Sequence, residues 1–109
     1  MAERFLLSLE QARDLVTALR AVPGVADLAP GRYGEVALLF PGERIPGLRF
    51  LSPKDDTQIE TNVVAAFDGP PLTEIGPAVQ AAARRAVPEL TRLDVVIADV
   101  AAPDKHTTQ

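Results

Sequence analysis

Apolar positions recur at helical spacing near both ends of the chain and alternate through its middle. Leu9, Ala12, Leu15, Val16, Leu19 and Val22 share one helix face, with Glu10, Arg13, Asp14 and Arg20 opposite. Ser8 stands where a capping hydroxyl belongs, and Gln11 follows three residues on, the spacing of a capping box. Pro23-Gly24 stops this helix, because proline cannot continue it and glycine relaxes the exit. Val25 to Ala29 reads as a short strand. Pro30-Gly31-Arg32-Tyr33-Gly34 reads as a turn. Glu35 to Phe40 then alternates, with Val36, Leu38 and Phe40 on one face. Pro41-Gly42 and Ile45-Pro46-Gly47 are turn signals, and Leu48 to Leu51 is a short edge strand. The stretch from Phe40 to Pro53 stays open between a strand and a loop folded over the sheet. Pro53 and Asp55-Asp56 mark a polar connection.

The longest alternation runs from Ile59 to Phe67, with Ile59, Thr61, Val63, Ala65 and Phe67 on one face. Asp68-Gly69-Pro70 ends it. A second helix begins between Pro71 and Pro77, and Pro77 suits a first helical position. Its apolar stripe is Val79, Ala82, Ala83, Ala86, Val87 and Leu90. Leu93 to Val100 is the last strand. The order α-β-β-(β)-β-α-β predicts an α+β fold. Its form is a two-layer sandwich, with two helices on one face of a mainly antiparallel three- to four-stranded sheet. Val36, Leu38, Phe40, Ile59, Val63 and Phe67 are expected to face the helices. Residues 1–100 form one domain, and 101–109 are expected to be a flexible C-terminal tail.

Composition narrows this picture. The 109 residues are 47% hydrophobic with four Phe, one Tyr and no Trp, so the core must be mainly aliphatic. A net charge of −4 disfavours nonspecific phosphate binding. The absence of cysteine excludes disulfides, thiolate metal sites and cysteine nucleophiles. No apolar run approaches the ~18 residues that a membrane span needs. Glu3 interrupts a short N-terminal apolar run, a poor signal peptide. The expected location is therefore cytoplasmic.

Few residues suggest chemistry. Gly31-Arg32-Tyr33-Gly34 matches the GxxG pattern that clamps nucleic acid in KH domains, but there it joins helices. Between strands it reads as a hairpin turn. Asp55, Asp56 and Glu60 are the densest acids, without calcium-loop spacing. Asp94 and Asp99 keep the ends of the last strand wet. His106, the only histidine, lies in the tail, where no neighbour orients it as a base. Ser52 lacks the setting of a nucleophile elbow. Arg84-Arg85, with Glu89 one turn on, reads as a solvated helix face. No catalytic group, metal ligand or cofactor site is expected.

The second sheet face suggests a contact surface. Two helices cover one face only, so Leu39, Val64, Ala66 and Val96 are left on the other. An uncovered apolar patch marks an interface for self-association or for a protein partner.

Four features together resemble the bacterial alkaline shock protein family, also described as envelope stress response proteins. They are the first helix running into Val22-Pro23-Gly24-Val25-Ala26, the strand Ile59 to Phe67 closing on Asp68-Gly69, the second helix with Val79-Gln80, and the strand Val95-Val96-Ile97-Ala98-Asp99-Val100. The likeness spans Leu9 to Val100. Val95-Val96-Ile97 stands where that family often has Val-Asn-Val. Nine Arg against two Lys, with abundant Ala and Pro, fits a GC-rich bacterial source of actinobacterial type. The resemblance implies a non-enzymatic interaction module. It implies a cytoplasmic location, peripheral to the membrane through an anchored protein partner. A KH-like nucleic-acid module and a small ligand-binding domain are the alternatives.

Overall fold

The computed structural model describes residues 5–101. Its elements run α1 (Leu9–Arg20), β1 (Val25–Leu28), β2 (Ala37–Phe40), β3 (Glu43–Pro46), β4 (Leu48–Ser52), β5 (Asp55–Ala66), α2 (Leu72–Ala86) and β6 (Arg92–Ala101). The architecture is α+β, with the expected order of helices and strands and one further strand, β3.

β5 organises the sheet because it carries partners on both edges. β6 runs parallel along one edge, from Gln58↔Arg92 to Ala66↔Ala101. A parallel neighbour requires a long crossover, and α2 supplies it. The other edge of β5 is shared end to end. β4 pairs antiparallel with its first half (Leu48↔Thr61, Phe50↔Ile59), and β1 with its second half (Leu28↔Val63, Val25↔Ala65). Gly47 lies at the join. Its carbonyl accepts Asn62 N at 3.2 Å and the buried Thr61 hydroxyl at 3.0 Å. A Cβ here would stand 2.5 Å from Leu28 Cβ, and φ is +94°, so glycine is required twice over.

The period of two along β5 is visible in its burial. Ile59, Thr61, Val63 and Ala65 are buried against the helices, while Glu60, Asn62, Val64 and Ala66 are half-buried on the far side. Ser8 caps α1 as its spacing predicts. Its Oγ accepts Gln11 N at 3.0 Å, and Gln11 Oε1 accepts Ser8 N at 3.1 Å. Leu15 and Leu19 of α1 meet Val79 and Ala83 of α2 in the same core cluster.

Several expectations are corrected or sharpened. β3 forms where Ile45-Pro46-Gly47 reads as a turn. Ile45 is buried and pairs with Leu38, so a two-stranded ribbon extends the core beside α1. The Phe40 to Pro53 segment is thus strand rather than a cover for the open sheet face. Gly31 to Gly34 is not a hairpin turn, because β1 pairs with β5 and β2 with β3. α2 begins at Leu72, within the expected span from Pro71 to Pro77, and Pro77 lies inside the helix and not at its first position. Proline removes one helical hydrogen bond there, and burial of Ile75 and Val79 on either side holds the helix. Phe67 is 63% exposed, because β5 ends one residue earlier. β6 includes Ala101, the first residue of the expected tail; 102–109, with His106, lie outside the described residues.

Candidate functional site

The sheet face away from the helices is built from alternate residues of β4, β5 and β6. Register places Arg49, Glu60 and Asp94 in one row, Asn62 and Val96 in the next, and Val64 beside Asp99 beyond them. Ala98 is the extra residue of a bulge between Val63 and Val64 in the pairing, which returns Asp99 to this face.

Charges gather at one end of the face and neutralise one another. Arg49 makes a two-pronged bridge to Glu60, at 3.1 and 3.2 Å. Arg92 grips Asp94 in the same way, at 2.9 and 3.1 Å. The Glu60 hydrogen bond and charge raise the Arg49 pKa, and Asp94 does the same for Arg92. Toward the other end the side chains are Val64, Ala66 and Val96, the last 39% exposed. Asn62 Oδ1, in the row of Val96, is shielded from solvent and has no hydrogen-bond partner among the described residues.

The β1–β2 loop rims this apolar end. Ala29, Pro30, Gly31 and Arg32 form one wall of a groove of about 430 Å³, with Val64, Ala98 and Asp99 completing it. The loop is held by Glu35 within it and by Arg44 of β3. Glu35 Oε1 accepts Tyr33 N at 2.9 Å, and the Arg44 guanidinium donates to Gly34 O. Hydrogen bonds from the backbone N–H groups of Glu35 itself and of Tyr33 lower the Glu35 pKa, with a small contribution from Arg49. Gly31 has φ +84°, and a Cβ there would lie 2.7 Å from the Glu35 carboxylate. The result is a fixed loop presenting Arg32 and Tyr33, the latter 85% exposed.

Of the four residues expected on the contact surface, Val64, Ala66 and Val96 share this face. Leu39 does not lie on the same sheet. It is 72% exposed on the β2–β3 ribbon, opposite Arg44, which reaches the loop at Gly34. Tyr33 and the groove wall escaped the sequence reading, since a GxxG turn gives no sign of where it will lie. The acids of the β4–β5 corner have structural work. Asp55 accepts Thr57 N, Thr57 Oγ1 and Gln58 Nε2 at 2.6–2.9 Å. Asp56 Oδ2 accepts Leu7 N at 2.8 Å and ties down the chain ahead of α1. A second groove, between α1 and β3, is lined by Arg13, Arg20 and Glu43. Its arginines are engaged, Arg13 by Glu43 at 2.9 Å and Arg20 by Asp27 at 3.1 Å.

Comparison with family models, curated proteins and solved structures finds no match to this chain. Among the described residues, no helix is long and apolar enough to cross a membrane.

Proposed function

We propose that this protein is a non-catalytic interaction module that docks a protein partner on the open sheet face. One observation carries the reading. The arginines and acids of that face pair with one another at one end, leaving Val64, Ala66 and Val96 in and beside a groove at the other. Val64, Ala66 and Val96 are interspersed there with Asn62 and Asp99, and apolar side chains set among polar groups are the form of a protein contact site. Nucleic acid is the weaker reading, because Arg49 and Arg92 are already bound to carboxylates. The resemblance to envelope stress response proteins supports a membrane-anchored partner at the cytoplasmic face.

The test combines Val64→Glu with Val96→Glu, both on the open sheet face that water reaches. The double variant should stay folded by circular dichroism. It should lose recovery with the membrane fraction of cells that produce it. A folded double variant recovered with membranes as fully as the parent overturns the proposal.

A further inference from the structure

We infer that β6 is a self-pairing edge, and that two copies of this chain join antiparallel through it into one continuous sheet. The inference concerns the strand's edge and stands apart from the partner surface on the sheet face. Among the described residues, β6 is a long strand whose hydrogen-bonded neighbour is β5 on one side only. An open strand edge presents unpaired N–H and C=O groups and templates further pairing. Gln80 Nε2 donates to Leu93 O at 3.0 Å, and a carbonyl keeps a second lone pair for another donor.

Charge and side-chain matching select the occupant and the register. Reversed on itself about Val95, β6 sets Val95 opposite Val95 and Leu93 opposite Ile97, all on the helix side. Val95 and Ile97 are only partly buried although they pack on the core, because β6 is the last strand of the sheet. A second β6 would cover what remains. On the open face, the bulge at Ala98 brings Asp99 opposite Arg92 of the other copy, whose guanidinium is then shared between Asp99 and its own Asp94, and the symmetry makes this pair twice. Centring one residue away, on Asp94, would instead oppose two carboxylates. Opposite charges directly across a ladder stabilise it, and like charges destabilise it. A symmetric pair of this kind is the commonest route to a closed oligomer.

The chain contains no cysteine, so a single introduced thiol reports the register. Directly opposed antiparallel residues lie ~4.5–5.5 Å apart at Cα, within disulfide reach. Val95→Cys should form a disulfide-linked dimer rapidly under mild oxidation. Leu39→Cys, exposed but off the edge, should not. In sedimentation the parent should be a dimer. Asp99→Arg should raise its dissociation constant roughly tenfold by replacing two attractive pairs with repulsive ones. Arg92→Asp combined with Asp99→Arg should restore it. A parent that sediments as a monomer overturns the inference. So does a Val95→Cys chain that cross-links no faster than Leu39→Cys, or a charge reversal without rescue.

Discussion

Val63 and Val64 are neighbours in sequence on opposite faces of the central strand, and one charge at each should separate them. Val63 is fully buried in the aliphatic core beneath the helices. Val63→Asp loses the transfer of a valine side chain, about 2 kcal/mol. It must also either bury a carboxylate or hold it protonated. Keeping an aspartic acid neutral at pH 7, about three units above its unfolded pKa of ~3.9, costs about 4 kcal/mol. The two terms together match much of the ~5–15 kcal/mol that stabilises a domain of this size. Burial raises the folded-state pKa of the introduced carboxyl above its unfolded value. The penalty is therefore smallest below about pH 4 and grows by ~1.4 kcal/mol per pH unit as the pH rises toward the folded-state pKa. Val64→Asp reaches water on the open face and should cost about 1 kcal/mol or less. Urea melts of both variants at acidic and neutral pH read these values. A Val63→Asp protein within about 1 kcal/mol of the parent at neutral pH, or one that gains nothing at acidic pH, refutes the facing of β5.

Gly47→Ala should destabilise by at least ~2 kcal/mol, since it combines a positive φ with a close approach to Leu28; urea denaturation measures it. The Glu35 carboxylate is held below its ordinary pKa by backbone donors, so its contribution is present above the unfolded value of ~4.3 and is lost as the pH falls through the folded value. The Tyr33 amide resonance should titrate with a midpoint below that value, and Glu35→Gln should abolish the titration.

What could be read from the residues depended on how local the deciding interaction is. α1 was legible because Ser8, Gln11 and the stripe through Leu19 all lie within one helix. β5 was legible because Ile59 to Ala65 alternate without interruption. β3 was not, since four residues ending in proline carry little period, and only the contact of Ile45 with a distant core fixes them. The start of α2 was obscured by Pro77, whose local penalty is overridden by burial of Ile75 and Val79. Alternation alone sets Val64, Ala66 and Val96 on one face of the sheet. Leu39 was misplaced because alternation gives a face but does not say to which sheet that face belongs.

The shared edge of β5 also sets the order in which the chain can assemble. β4 and β5 meet across the short turn between Ser52 and Asp55, and β5 reaches β6 through the adjacent α2. Only the first of these pairings closes a small loop, since Asn62 and Val96 stand about as far apart in sequence as Leu28 and Val63. β1 must likewise bring Val25 to Ala65, across the ribbon and the whole β4–β5 hairpin. Loop closure over such a distance costs entropy before any contact repays it. The β4–β5 hairpin, Leu48 to Ala66, is therefore expected to form first, with α1 and β1 docking on one edge of it and β6 on the other afterwards. Gly47 stands at the seam between β1 and the hairpin, where late-arriving Leu28 must pass close to an atom that is not there.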